Sequence, residues 1–201
     1  MRLRIKTTFA LLLTMAAVST APVSAQSAAA VIKPLRNELA LDYSYLRSNA
    51  PPGGCGCFNL NGGSATYAWF VRPEGGYALV ADVSVVHAGA ITASGYTLTL
   101  STYTLGERYK LRLGHSAFQP FGQALVGVAH SSGTLVQGAT PATAAAGTTL
   151  AASLGGGLDL NAGRRYFIRL FEADYLSNTF NNGVNNIQNN LRISAGLALH
   201  F

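Results

Sequence analysis

The sequence predicts an all-β protein, an antiparallel up-and-down transmembrane barrel of about eight strands. Two observations carry this prediction: apolar residues alternate with small or polar ones along most of the chain, and charge is scarce. Charged residues make up 11% of the 201 residues, against about 25% in ordinary globular proteins. The mean hydropathy is +0.24, yet beyond residue 25 no apolar run reaches the length of a membrane helix. Apolar residues dispersed in this way suit a barrel with one lipid-facing and one enclosed side.

The last segment of the chain, 191–201, shows the alternation most clearly. Every odd position is apolar, every even position is small or polar, and the chain stops on Phe201. Successive side chains of a strand point to opposite faces, so this segment has one fully apolar face. Its length matches the ~9–11 residues that a tilted strand needs to cross a bilayer.

Residues 1–25 are predicted to be a cleaved secretory signal peptide. Three positive residues precede an apolar stretch, and Val23-Ser24-Ala25 forms a small-residue cleavage site. The apolar stretch is too short to span a bilayer as a helix. A flexible lead, 26–35, then precedes the barrel, 36–201. Export together with the barrel pattern predicts a location in the bacterial outer membrane.

Eight segments are predicted to be strands. They are 37–46, 64–72, 77–86, 96–109, 117–130, 150–160, 165–176 and 191–201. The fourth changes parity between Leu100 and Tyr103, which predicts a bulge near Ser101, and the facing of the fifth is ambiguous. The odd-numbered connections are mostly long and the even-numbered ones short, as in barrels with long outer loops and short periplasmic turns.

A soluble β-sandwich or lipocalin-like barrel is the alternative, because it also has short alternating strands. Its apolar face would point inward and its exterior would be polar. Here the second face carries Ala, Gly, Ser and scattered charges, which favours a narrow enclosed lumen.

Three segments near the C-terminus are similar to bacterial outer-membrane barrels of the OmpA/OmpX transmembrane type. They are Gly155–Asp159, Ile168–Tyr175 and Asn189–Gly196. The resemblance covers 37–201 and implies a monomer whose partners are outer-membrane lipids. It also implies that the barrel-assembly machinery recognises the C-terminal strand, with Phe201 as the assembly signal. Full-length OmpA proteins add a peptidoglycan-binding domain, which is not expected here because the chain ends at Phe201.

Seven charged residues are predicted by parity to face the lumen. They are Asp42, Asp82, Arg108, Asp159, Glu172, Asp174 and Arg192. Arg169 has the other parity from Glu172 unless a bulge intervenes. Side chains fill the interior of so narrow a barrel, and buried charges must be paired. The network is therefore interpreted as a structural plug, or alternatively as a gated minor channel in which Arg192 exchanges acidic partners.

A lipid-modifying enzyme is a further alternative. His130 and Ser132 share one face of a strand, in a pattern that resembles outer-membrane lipid A deacylases. Such a hydrolase needs a carboxylate to orient the histidine, but no acidic residue occurs between Arg108 and Leu158. Asp159 falls at the far end of its strand. The protein is therefore not expected to be an enzyme.

The predicted outer loops are almost uncharged, since Arg47 is the only Lys, Arg, Asp or Glu among them. The last loop is rich in asparagine, whose amide could hydrogen-bond sugars but is more often found in plain connectors. The expected role is structural or surface-exposed: membrane integrity, or weak adhesion through these loops.

No cofactor or metal is expected. Cys55 and Cys57 flank Gly56, and two thiolates with no nearby histidine are too few for a zinc site. They are either a local disulfide or free thiols. No basic stripe indicates nucleic-acid binding.

Four cations at the predicted short turns are interpreted either as contacts to phosphates of the inner leaflet or as ordinary solvated turn residues. They are Lys110, Arg112, Arg164 and Arg165. Aromatic residues near the strand ends are predicted to form an interfacial belt. They are Tyr77, Tyr109, Tyr166, Phe167 and Phe201.

Overall fold

A computed structural model of the chain shows a closed barrel of eight antiparallel strands. It describes residues 35–48, 58–74, 76–89, 97–114, 116–133, 145–180 and 187–201. The strands are β1 (Asn37–Ser48), β2 (Phe58–Arg72), β3 (Tyr77–Ala88), β4 (Leu98–Lys110), β5 (Phe118–Gly133), β6 (Ala145–Asn161), β7 (Tyr166–Asn178) and β8 (Gln188–His200). Each strand pairs with the next, and β1 pairs with β8. The predicted fold class is confirmed. The predicted signal peptide and the cysteine pair lie outside the described residues.

The seam between β1 and β8 closes the barrel. The two strands pair in continuous register from Glu38 opposite His200 onward. The backbone N–H of Phe201 donates to the carbonyl of Asn37 at 2.9 Å, and the N–H of Asn37 donates back at 3.1 Å. Closure leaves no unpaired sheet edge, which is what a β-structure in lipid requires.

The two faces of the sheet differ as the alternation predicts. Outward positions carry large apolar side chains, and Leu41, Leu154 and Leu197 are each more than 60% exposed. Inward positions carry small, hydroxyl and charged side chains, together with apolar ones that form separate clusters. We call the outward side chains of the eight strands the outer wall. In the described part of the chain, no helix has the length and apolarity to cross a membrane.

The connections alternate in length, which defines two ends of the barrel. Residues 49–57, 89–97, 134–144 and 179–187 connect strands at one end, called the loop end. Residues 73–76, 111–117 and 162–165 connect them at the other, called the turn end. Strands reach further toward the loop end than predicted: β2 begins at Phe58 and β6 at Ala145. Backbone pairing needs no apolar side chains, so alternation underestimates strand length wherever the outer wall is polar.

The bulge predicted near Ser101 is wrong, because β4 pairs without a register shift along its whole length. Its apolar residues change faces for another reason. Near the loop end Leu100 points into an apolar part of the interior, whereas Tyr103 and Leu105 lie on the outer wall.

Candidate functional site

The barrel interior is layered from the loop end to the turn end. Nearest the loop end is a cluster of buried apolar side chains, which we call the apolar seal. It consists of Leu46, Phe58, Leu60, Val86, Ala88, Leu100, Ala129, Ala151 and Leu176. Hydroxyl groups follow below it, where the Ser44 hydroxyl lies 2.9 Å from that of Ser64 and 2.8 Å from that of Ser194. Charged side chains fill the part nearest the turn end.

The charged part, called the interior charge network, contains six carboxylates and four permanent cations. They are Glu38, Asp42, Asp82, Asp159, Glu172 and Asp174, with Arg108, Lys110, Arg169 and Arg192. All seven residues placed in the lumen by parity lie here, and every member is at most 6% exposed. Parity identified them because a closed barrel encloses one whole face of the sheet.

Arg169 lies at the centre of this network, although simple parity places it on the outer wall. Its guanidinium donates to Glu172 at 2.9 Å, to Asp159 at 3.0 Å, and to Glu38 and Asp42 at 3.1 Å each. A register shift between Arg169 and Glu172 makes this possible. The intervening Leu170 and Phe171 both lie on the outer wall, which is the signature of a bulge.

Glu38 and Lys110 complete the network near the turn end, and parity reasoning had not assigned either to it. Glu38 accepts from the Lys110 ammonium at 2.5 Å and from Arg108 at 3.2 Å. Lys110 also reaches Asp159 at 2.7 Å. The prediction that Lys110 contacts leaflet phosphates is therefore wrong, because its side chain is 1% exposed and paired inside. Arg112, Arg164 and Arg165 are exposed at the turn end.

Arg192 organises the part of the network closest to the hydroxyl layer. It donates to Asp82 and to Asp174 at 2.7 Å each, and reaches Glu172 at 3.4 Å. Asp82 also accepts from the Thr66 hydroxyl at 2.9 Å. Each of these acids thus has a cation and at least one further donor near it, as buried charges require.

Aromatic side chains pack against the cations. The Phe121 ring has the Arg108 guanidinium 4.4 Å and the Arg169 guanidinium 4.8 Å from its centroid, distances typical of cation–π contacts. Closer to the turn end, the imidazole of His200 stacks on Phe167 with 4.2 Å between centroids. Phe167 is therefore not in the interfacial belt, whereas Tyr109, Tyr166 and Phe201 are at least half exposed.

Among the described residues, no group of three or more His, Cys, Asp or Glu side chains could hold a metal ion. The interior acids point at guanidinium and ammonium groups instead. Ion pairs connect β1, β3, β4, β6, β7 and β8 from within, and hydrogen bonds of Thr66 on β2 and Gln123 on β5 connect the other two strands to them.

The structure separates His130 and Ser132 from every carboxylate. β5 extends to Gly133, so both side chains share one face as predicted, and the structure shows that this face is the outer wall. All eight acidic residues of the chain are described: six lie in the interior, and Glu74 and Glu107 lie toward the turn end. No Ser-His-acid triad is assembled at this site.

No protein-family model and no curated protein sequence matches the chain. Several solved structures are similar to it in fold. The neisserial surface protein A is 14% identical, with a TM-score of 0.61 over 82% of this chain and 97% of that one. The attachment invasion locus protein of Yersinia pestis is 13% identical, with a TM-score of 0.54 over 83% of this chain and all of the other. The chain therefore has the fold of the eight-stranded outer-membrane β-barrels.

Proposed function

We propose that the protein is a small, monomeric bacterial outer-membrane barrel with a structural or surface-exposed role. The observation that carries the proposal is a closed sheet with an apolar outer wall around an enclosed network of ion pairs. Such a sheet is costly in water, because soluble monomers rarely expose large apolar patches. In lipid the same side chains meet acyl chains and the charges remain enclosed.

Two features of the barrel interior favour a structural role over ion conduction. The apolar seal places nine apolar side chains inside the barrel near the loop end, where few polar groups are present to replace the hydration of a passing ion; Ser48, Ser131, Asn178 and Asn190 are the buried polar residues at this level. Below the seal, four cations hold six carboxylates in ion pairs, so an ion would have to break existing pairs to enter. The gated-channel alternative therefore lacks a supporting path.

A surface role is favoured by the loop end. Three of its four connections span nine residues and the fourth spans 11, whereas two of the three turns span four. One neighbour by fold is called a surface protein and the other an attachment invasion locus protein. We extend to this chain only the general expectation that long loops on a rigid barrel present contacts outside the cell.

Membrane placement is tested by heat-modifiable gel migration of the protein from outer-membrane fractions. A folded barrel in detergent runs at a different position before and after boiling, and we expect that difference here. Recovery in the soluble periplasmic fraction, with one band in both conditions, contradicts the proposal.

Conduction is tested on the same preparation in planar bilayers. We expect no sustained current over long recordings with wild-type protein. Regular unitary currents that change when Arg192 is replaced by Met support the channel instead.

A further inference from the structure

A continuous group of polar side chains interrupts the outer wall near the loop end on four neighbouring strands. We call it the polar belt; it consists of His87 on β3, Thr99 and Ser101 on β4, His130 and Ser132 on β5, and Thr148 on β6. Toward the turn end each of these strands continues with apolar outward residues, including Val85, Tyr103, Val128 and Leu150. The belt therefore starts where the apolar wall stops, which in the proposed membrane orientation is the headgroup level.

Both histidine rings are fixed by a threonine of the next strand. The Nδ1 atom of His87 lies 2.9 Å from the Thr99 hydroxyl, and that of His130 lies 2.8 Å from the Thr148 hydroxyl. Among the described residues, neither Nε2 atom has a hydrogen-bond partner. When the hydroxyl donates to Nδ1, the proton of the neutral ring is on Nε2, which becomes a hydrogen-bond donor. Two oriented donors are thus available at the wall.

The charges around the belt favour an anionic partner. All eight carboxylates of the chain lie in the interior or toward the turn end, so neither the belt nor the long loops contain one. On β2 to β6, the only other titratable side chain facing outward in this half of the barrel is Tyr103. Asp82 of β3 points to the interior, where Arg192 pairs with it. A phosphate at the belt meets no like charge on the outer wall.

The spacing of the rings matches lipid headgroups at a membrane surface. His87 lies opposite Thr99, and His130 lies opposite Ser101 two residues further along β4. Two strand spacings and two residues of rise separate the two positions by about 12 Å. This span suits two phosphates carried on one large headgroup or on adjacent lipids.

We propose that the polar belt is a binding surface for phosphorylated lipid headgroups, in which His87 and His130 donate to phosphate oxygens and the neighbouring hydroxyls add further hydrogen bonds. The proposal rests on the membrane orientation given under the proposed function.

The test follows the imidazole C–H resonances of barrel folded in zwitterionic detergent micelles during titration with short-chain phosphatidic acid. We expect saturable shifts of the His87 and His130 resonances. Phosphatidylcholine of equal chain length should leave both resonances in place. Binding to the variant His87→Gln/His130→Gln is followed by the phosphorus resonance of the phosphatidic acid and should be about tenfold weaker than binding to the wild type, whereas Tyr109→Phe, near the turn end, should bind as the wild type does.

Three results overturn the proposal. They are equal shifts with phosphatidylcholine, binding of phosphatidic acid to the double variant that is as tight as to the wild type, and shifts reproduced by inorganic phosphate at the same concentration. Heat-modifiable migration of each sample is recorded first. If the barrel folds and inserts but the histidine resonances do not shift, only the proposed headgroup site is refuted. If the protein does not insert, the proposed function is refuted as well.

Discussion

Replacing Arg169 with Met tests whether the interior charge network supports the fold. The substitution keeps most of the apolar stem and removes the guanidinium that pairs with Glu38, Asp42, Asp159 and Glu172. Removing one partner of a buried ion pair costs about 3–5 kcal/mol. Since four carboxylates lose their shared cation together, we expect a loss of free energy of unfolding in the upper part of that range.

The assay is equilibrium unfolding by denaturant in lipid vesicles, followed by tryptophan fluorescence and gel migration. Arg165→Gln is the matched control, because it removes a cation of the same type from an exposed turn, where substitutions usually change stability by less than about 0.5 kcal/mol. Asp42→Asn removes an acid whose cation partner is Arg169. Adding it to Arg169→Met should recover part of the loss, with a coupling of about 0.5–3 kcal/mol. If Arg169→Met lowers the free energy of unfolding by no more than Arg165→Gln does, the interior ion pairs do not stabilise the fold.

Three further predictions test the walls and the seam. In Gly155→Ala the new Cβ would lie 2.2 Å from a carboxylate oxygen of Asp174, so we expect the free energy of unfolding in the same assay to fall by about 1–3 kcal/mol. Gly163→Ala is the control, because its new Cβ meets nothing within 4 Å, and it should change stability little. Equal effects of the two substitutions would contradict the packing described. Leu154→Arg puts a charge halfway along the outer wall and should lower the free energy of unfolding in vesicles by about 2–4 kcal/mol. An unchanged stability would mean that this position is hydrated. Phe201→Ala keeps the terminal backbone pairing, so refolding in detergent should be normal while the amount in outer membranes falls; equal amounts in cells would remove its role as assembly signal.

The alternation in the sequence is sufficient to predict the fold and the inward direction of seven charged residues. In a closed sheet, facing depends only on parity, so Asp82 and Arg192 could be placed on the same side without knowing which strands are neighbours. The distances between them could not be predicted. Asp82 and Arg192 meet across the lumen from β3 and β8, and only the closed geometry brings these strands face to face.

Parity fails where a strand gains a residue or ends. The bulge at Leu170 and Phe171 reverses the facing of Arg169, and only its position three residues before Glu172 hints at a shared face. Lys110 closes β4, where a turn cation is equally expected; it points inward because it continues the parity of Arg108. The polar belt was missed as a unit because its members come from four strands, each with only one or two polar positions.

The central claim is that the outer wall contacts acyl chains. It is tested most directly with spin labels at Leu41, Leu154 and Leu197 in a Cys55→Ser/Cys57→Ser background, with the exposed Gly163 as the aqueous reference. In vesicles, oxygen should relax the three wall labels strongly and a polar nickel complex should not, while Gly163 should show the reverse. Nickel accessibility at the wall equal to that at Gly163 would mean that these leucines face water, and the account of a membrane barrel would be wrong.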